Sequence, residues 1–365
     1  MTYKAAHLFY FLSGMHANVA FFITSGFLIG LAIERNYVGR TSEFILNRFL
    51  RIYPTFWVVL GLTALTIVLH GGPTVKGADM AAVSLQGWGP IEVLRALPIV
   101  TGYPGSIWKP MAVAWTLQVE ISFYIAVATL YWALDARYGG DATAKRGRGV
   151  LIACYGALGV YIISSSTIDL RHENPIAYIP DFVLGLAISR RVLNRDSAST
   201  IWPLIGAALF LSLLGFSHIV IGGGAHLRLF APFSSYASRF SLNDGLNVVT
   251  LATLISVFMV CLLIQPGLLA RRIDNFLGDL TYPLYLCHFA VLATMNQDFP
   301  GIPDEHRIWL SFAAALLCAV LLYLLVDRPL TRLRAYVRKR ALPPSKVHSD
   351  LGLAGSAGVS MSMES

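Results

Sequence analysis

Charged side chains are scarce in this sequence. Only 13% of its 365 residues are Asp, Glu, Lys or Arg, about half of the roughly 25% that is usual in soluble domains. Hydrophobic residues make up 56%, and the mean hydropathy is +0.62. A soluble domain needs more charge than this to cover its surface, so most of the surface is expected to face lipid.

Cysteine is rare as well. The four cysteines lie in apolar stretches, without the CxxC spacing that is typical of metal sites and redox pairs. Buried, inert thiols are predicted, and neither a disulfide framework nor a metal site is expected. A cleavable signal peptide ahead of a soluble domain is also missing from the pattern.

Apolar runs of about the length of a membrane crossing recur along the chain. They are expected near 18–33, 52–69, 112–134, 149–166, 176–189, 201–221, 246–265, 280–297 and 308–326, and residues 3–14 look like the end of another crossing. Helices are expected, because lipid leaves no backbone group unpaired and the alternating strands of a membrane barrel are missing. The predicted fold is therefore an all-α, polytopic transmembrane bundle over 1–335. A basic and then disordered cytoplasmic tail is predicted at 336–365.

Lysine and arginine are distributed unevenly between alternate loops. The predicted topology places 21 of the 28 on one side, in the loops 34–51, 135–148 and 190–200, around residue 271, at Lys4 and in the tail. An excess of this kind marks the cytoplasmic side, so both termini are predicted to be cytoplasmic. The net charge of +8 then needs no nucleic-acid partner to explain it.

Three ionisable residues fall inside predicted crossings, where a functional role is the default hypothesis. His7 lies in KAAHLFYFLSG, and its imidazole titrates near neutrality, which suits a general base acting on a hydroxyl. A packed histidine bonded to a carbonyl is the alternative. Glu120 lies in AWTLQVEISFY and His288 in TYPLYLCHFAVL. Their alternatives are an interfacial glutamate that reaches toward water and a structural histidine.

Two aromatic residues accompany Glu120. Trp115 and Tyr124 are spaced to share part of a helical face with it. Together with His288 they are weaker candidates for binding the substrate.

Two arginines, Arg48 and Arg51, stand three residues apart in NRFLRIYP, directly before an apolar run. As topology anchors they need no ligand. Alternatively they form an anion site, because guanidinium groups grip phosphate in a bidentate fork. Pro54 is expected in the first turn of the helix that follows. The Ser25-Gly26 pair is predicted to permit close approach of another helix.

Several segments in this order resemble the acyltransferase-3 family of bacterial polytopic membrane O-acyltransferases, which acetylate sugars. They are HANVAFFITSGFLIG, RFLRIYPTFW, AWTLQVEISFY, TYPLYLCHF and, after the final crossing, LVDRPLTRL. The resemblance covers roughly residues 5–335. It implies about ten transmembrane helices in the bacterial inner membrane. It also implies transfer of an acyl group, acetyl by default, from cytoplasmic acyl-CoA (acetyl-CoA) to a hydroxyl of a glycan or lipid-linked sugar.

Carried onto this sequence, the resemblance implies that His7 and Glu120 are catalytic and that Arg48 and Arg51 bind acyl-CoA. The implied partners are the lipid bilayer, acyl-CoA and the glycan or lipid-linked sugar, without nucleic acid or metal. The family's first helix usually begins with an arginine about ten residues before its histidine. Because only six residues precede His7, the first helix is expected to be shortened.

A transporter is the alternative function. A polytopic exporter of a glycan or small anionic metabolite, without acyl transfer, would have the same topology. Such proteins often contain paired short helices interrupted by Gly or Pro in two related halves. No such pair and no inverted repeat is visible in the sequence, which favours the acyltransferase.

Overall fold

The structure is a computed structural model, and it describes residues 3–69, 97, 99, 114–138, 143–167, 174–193, 198–222, 268–299 and 301–341. In the first helix, side chains are described from residue 17 onward.

The described residues form nine α-helices and no strand. They are α1 Tyr3–Asn36, α2 Thr41–Leu69, α3 Ala114–Tyr138, α4 Thr143–Thr167, α5 Ile179–Val192, α6 Ala198–Gly222, α7 Leu268–Asp298, α8 Asp304–Leu322 and α9 Arg328–Ala341. A 3-10 turn, Pro175–Tyr178, precedes α5, and a π-helical turn, Tyr323–Asp327, joins α8 to α9. The all-α class is thus confirmed for this part of the chain. The predicted crossing at 246–265 lies outside the described residues.

Five helical segments are long and apolar enough to cross a membrane. They are Ala17–Asn36, Thr41–Thr66, Ala114–Tyr138, Lys145–Ser165 and His306–Arg338. Large apolar side chains point outward from the bundle: Trp132 is 63% exposed, Trp309 71% and Leu325 74%. Such a surface suits lipid and not water. The chain is a multi-helix membrane protein, while the total of about ten crossings stays a prediction.

The beginning of the chain differs from the sequence prediction. Residues 3–14 and 18–33, expected as separate crossings, belong to the one helix α1, so the prediction of two separate helices is wrong. The connection SGMHAN contains no proline, and its single glycine, Gly14, can stay helical at modest cost. At 1.5 Å per residue, α1 is about 51 Å long. Lys4 and Arg35, predicted on the same side, therefore lie at opposite ends of one helix.

Pro54 also differs from its predicted place. Helix α2 begins at Thr41, so Pro54 lies in its interior and not in its first turn. The segment before the proline has good helix formers and no breaker, which lets the helix start earlier. As a result Arg48 and Arg51 lie on α2 itself, upstream of a proline that cannot donate its backbone hydrogen bond.

Helices α1 and α5 pack with their backbones in close contact. Gly26 faces the backbone of Phe182, and Gly185 faces the carbonyl of Ile23. A Cβ at either glycine would overlap those backbone atoms, so the small residues are what allow the approach. The predicted close packing at Ser25-Gly26 is confirmed.

Contacts gather several basic segments at one end of the bundle. The Gly39 N–H, between α1 and α2, donates to Asp135 Oδ2 near the end of α3 at 2.9 Å. Arg146 at the start of α4 pairs with Asp135. Asn47 Nδ2 donates to the carbonyl of Arg334 on α9 at 3.0 Å. We call this the basic end: the end of α1 and α3, the start of α2 and α4, and α9.

Candidate active site

Glu120 is a buried carboxylate in the interior of the bundle. It lies on α3 and is 7% exposed. Its Oε1 accepts a hydrogen bond from Ser25 Oγ of α1 at 3.1 Å and one from the Tyr124 hydroxyl at 2.5 Å. Tyr124 is one turn further along α3, so the predicted shared face is confirmed for this pair. Glu120 forms no ion pair with any residue that the structure describes.

Arg48 lies between two aromatic rings. Its guanidinium carbon is 5.2 Å from the centroid of the Phe44 ring and 5.2 Å from that of Tyr124. Both distances are within the range of a cation–π interaction. The side chain therefore points into the bundle, and the ring of Tyr124 connects it to Glu120.

Arg51 points to a separate cleft. This polar cleft lies between α2, α7, the π-helical turn and α9, and its lining comprises Arg51, Gly278, Asp279, Tyr282, Tyr323, Asp327, Thr331 and Arg334. Two bonds fix its walls against α2. Thr55 donates to Asp327 Oδ1 at 2.5 Å, and Tyr282 donates to the carbonyl of Ile52 at 2.7 Å. The two predicted arginines thus share the basic end of the bundle but face different surroundings.

Tyr37, in the connection between α1 and α2, reports on the charge at this end. Burial raises the pKa of its phenol, whereas Arg48, Arg338 and Arg334 lower that pKa through their positive charge. Three arginines from α2 and α9 therefore act on the same buried hydroxyl.

Trp115 lies on α3, five residues before Glu120, and belongs to an aromatic cluster. Its ring centroid lies 5.9 Å from that of Tyr178 and 6.4 Å from that of Phe22. Tyr178 also packs on Phe22 at 4.4 Å. Trp115 is only partly buried, so one side of its ring could stack on a ligand.

His288 is half-buried on α7. Its Nδ1 lies 2.8 Å from the carbonyl of Tyr285 and 3.3 Å from that of Leu284. Because carbonyls only accept, Nδ1 carries the hydrogen, and Nε2 is the basic nitrogen. The Tyr285 hydroxyl is bonded to Thr116 Oγ1 at 2.7 Å, which joins α7 to α3 one turn before Glu120.

His7 is not brought next to Glu120. It lies on α1, 18 residues before Ser25, which corresponds to about 27 Å along a helix axis. Its side chain is outside the described set, so its catalytic role stays a prediction.

Some contacts at the site were not predicted from the sequence. Ser25 was noted for its size and not as a hydrogen-bond donor to Glu120. Asp327 and Arg334 line the Arg51 cleft. Asp327 belongs to the LVDRPLTRL motif, whereas Arg334 directly follows that motif and was not singled out in the sequence. Within the described residues, no group of three or more His, Cys, Asp or Glu side chains could hold a metal ion.

The chain belongs to the acyltransferase-3 family. The family model, described as "Acyltransferase domain", matches residues 2–327. Together with the membrane-spanning helices, this makes the protein a membrane acyltransferase and confirms the resemblance seen in the sequence.

Two curated relatives align with this chain over most of its length and over most of their own. The "Exopolysaccharide production protein ExoZ" of Rhizobium meliloti (strain 1021) is 26% identical over 337 residues, which are 90% of this chain and 92% of the relative. "Nodulation protein 10" of Rhizobium leguminosarum bv. viciae is 24% identical over 342 residues, 88% and 83% of the two chains. No solved structure matches the chain significantly.

Proposed function

We propose that this protein is an O-acetyltransferase of the bacterial inner membrane. It moves an acetyl group from cytoplasmic acetyl-CoA to a hydroxyl of a glycan or lipid-linked sugar. Membership of the acyltransferase-3 family supports the reaction class. The name of one relative refers to exopolysaccharide production, which supports a polysaccharide as the acceptor.

A chain of contacts from the basic end to a buried carboxylate carries the proposal. Arg48 lies on the ring of Tyr124, and the hydroxyl of Tyr124 donates to Glu120. A phosphate-bearing donor bound by Arg48 and Arg51 would have its thioester end near Glu120. Guanidinium groups suit this role, because they bind phosphate with two parallel donors.

The reaction requires a base for the acceptor hydroxyl. In direct transfer, a histidine takes the proton while the sugar oxygen attacks the thioester carbonyl, and the C–S bond breaks to release CoA as thiolate. The thiolate then takes that proton from the histidinium, so that free CoA thiol and neutral histidine are restored. An acyl-histidine intermediate would serve the same overall reaction. Glu120 would orient the acceptor by accepting a hydrogen bond from one of its hydroxyls.

Two histidines are candidates for the base. The family resemblance implies His7. His288 is the second candidate, because its Nδ1 is bonded to backbone carbonyls and its Nε2 is therefore the basic nitrogen. The contact of Tyr285, one turn before His288, with Thr116 of α3 supports this candidate, because Thr116 lies one turn before Glu120.

Isotope-labelled acetyl-CoA offered to membranes tests the function. Label that enters glycan supports acetyl transfer, whereas glycan movement without label would indicate the transporter. The base must be the histidine whose alanine variant loses about 10²–10⁴-fold in rate at equal expression. Full activity of both His7→Ala and His288→Ala would exclude these two histidines as the base.

Substitution by lysine is a sharper test of the arginine pair, because lysine keeps the positive charge but lacks the planar, two-pronged donor geometry of guanidinium. We expect Arg48→Lys/Arg51→Lys to insert normally and to lose about 10–10³-fold in affinity for acetyl-CoA, since charge-assisted bonds contribute about 1.5–3 kcal/mol each. The exposed arginines Arg35 and Arg148 supply the matched control, Arg35→Lys/Arg148→Lys. An unchanged dependence on acetyl-CoA concentration in the first variant would leave the pair as topology anchors.

A further inference from the structure

A third arginine, Arg334, reaches the basic end from a distant part of the sequence. It lies on α9, and its backbone carbonyl accepts the hydrogen bond from Asn47 Nδ2 at 3.0 Å. Asn47 is the neighbour of Arg48 in the sequence. This bond therefore fixes Arg334 beside the two arginines of α2.

Arg334 and Arg51 line the same cleft. The π-helical turn between α8 and α9 places Tyr323 and Asp327 in its wall. π-helical turns are rare and recur at functional sites. The lining is predominantly polar, which distinguishes this cleft from the lipid-facing surface of the same helices.

Positive charge exceeds negative charge around the cleft. The cleft itself holds two arginines, Arg51 and Arg334, and two aspartates, Asp279 and Asp327. Arg48 adds positive charge, because it acts electrostatically on Arg334. Arg338 is a further arginine at this end, and it acts on Tyr37 together with Arg48 and Arg334. Asp327 is in addition occupied by the hydroxyl of Thr55. Asp279 and Asp327 oppose the effect of Arg48 and Arg51 on Arg334, and a bound anion would offset the remaining positive charge.

One donor of Arg334 is left over. Its Nε is buried and has no hydrogen-bond partner among the residues that the structure describes. A buried donor without an acceptor is unfavourable, and an arginine normally offers Nε and one terminal nitrogen together to a carboxylate or phosphate. Arg334 itself lines the cleft that also holds the guanidinium of Arg51.

We propose that Arg334 binds a phosphate group of the acyl donor together with Arg51, so that α9 is part of the donor site. This inference rests on the proposed function. Coenzyme A carries a diphosphate and a separate ribose phosphate, and the two arginines of α2 point in different directions. A phosphate of the diphosphate lies at the Arg51–Arg334 cleft, while Arg48, on the ring of Tyr124, serves the part of the donor nearer to Glu120.

Binding of coenzyme A to the full-length protein in detergent, measured by titration calorimetry, tests this assignment. We expect Arg334→Gln to weaken binding by about 10- to 100-fold, the loss of one or two charge-assisted bonds. Arg332→Gln is the matched control, because Arg332 is exposed on the same helix and its loss removes the same charge. It should bind within about twofold of the wild type, as expected for an exposed charge.

Arg334→Lys separates geometry from charge and guards against misfolding of the glutamine variant. It should bind coenzyme A more weakly than the wild type while eluting as the same monodisperse species. Inorganic pyrophosphate should compete with coenzyme A for the wild type and lose that effect in Arg334→Gln. Equal affinity in the Arg334→Gln and Arg332→Gln proteins would overturn the assignment.

The outcomes also separate this inference from the proposed function. If Arg48→Lys/Arg51→Lys weakens binding and Arg334→Gln does not, the donor site stands without α9. A wild-type protein that does not bind coenzyme A overturns both. If Arg334→Gln instead lowers only the binding of phosphatidylglycerol vesicles, the cleft recognises a lipid headgroup and the assignment fails.

Discussion

Two buried glutamates, Glu34 and Glu120, occupy different electrostatic surroundings in the same bundle. Glu34 is 4% exposed and Glu120 is 7% exposed. Glu34 Oε1 lies 3.0 Å from Arg190 Nη1 and accepts the hydroxyl of Tyr131 at 2.8 Å. Glu120 is bonded only to hydroxyls, those of Ser25 and Tyr124, among the described residues.

The difference indicates two different uses of a buried carboxylate. The charge of Glu34 is neutralised by an ion pair that ties α1 to α5, with α3 added through Tyr131. Removal of either member of such a buried pair is strongly destabilising, because the other charge is left in the interior. Glu120 has no such counter-charge among the described residues, and the guanidinium of Arg48 lies on the ring of Tyr124. We infer that Glu34 is structural and that Glu120 remains chemically available.

The largest difference between the two glutamates is expected in the activity of their glutamine variants. We expect Glu120→Gln to lower the rate of acetyl transfer by about 10²-fold, because an acceptor that is no longer held by the carboxylate is misplaced for attack. Glutamine keeps the shape but accepts hydrogen bonds less strongly than a carboxylate. Transfer of label from acetyl-CoA in membranes with equal protein levels measures the effect.

Glu34→Gln is the matched control for that experiment. Its correctly folded fraction should keep activity within about tenfold of the wild type, because only a structural ion pair is lost. Equal activity losses in the two variants would remove the distinction between the glutamates.

The free energy of unfolding should differ in the opposite sense, with Glu34→Gln and not Glu120→Gln destabilising the protein. Glu34→Gln leaves Arg190 without its carboxylate, which should cost about 3–5 kcal/mol, as for other broken buried pairs. The double variant Glu34→Gln/Arg190→Gln should recover part of this, because the buried charge of Arg190 is then removed as well. Unfolding of the purified protein by heat or denaturant in detergent provides the comparison.

The single variant Arg190→Gln completes a double-mutant cycle, and a coupling energy near zero in that cycle would contradict the structural role. Glu120→Gln serves as the reference. It leaves no partner charge uncompensated among the described residues, so its free energy of unfolding should be close to that of the wild type.

The smallest effects should come from the two tyrosines that donate to the glutamates. Tyr124→Phe removes one hydrogen bond to Glu120 and keeps the ring on which Arg48 lies. Tyr131→Phe removes the corresponding bond to Glu34. Each bond to a charged group contributes about 1.5–3 kcal/mol. We expect the first variant to lose about 10-fold or more in activity and the second to lose stability instead.

Assays of both properties on both tyrosine variants complete the comparison. A Tyr131→Phe protein that unfolds normally but transfers acetyl poorly would place the reaction at Glu34.

Much of this site could be predicted because the signals are local. The apolar runs predicted eight crossings that the structure describes as helical, and the one-turn spacing of Glu120 and Tyr124 predicted a contact that exists. The start of α2 was wrong because a proline can lie within a helix as well as in its first turn. The separate helix at 3–14 was wrong because a short polar connection without a strong breaker can remain helical.

The sequence by itself indicated a membrane acyltransferase that is helical throughout the residues the structure describes, with basic residues concentrated in particular loops. Hydrophobicity, helix formation and family motifs depend on neighbours along the chain. Only the tertiary structure decided which buried charge is paired. Glu34 meets Arg190 across 156 positions of sequence, and Arg334 meets the start of α2 across 287. Such pairs depend on which helices pack together and in what rotation, and a periodic pattern in one helix carries no information about its partner.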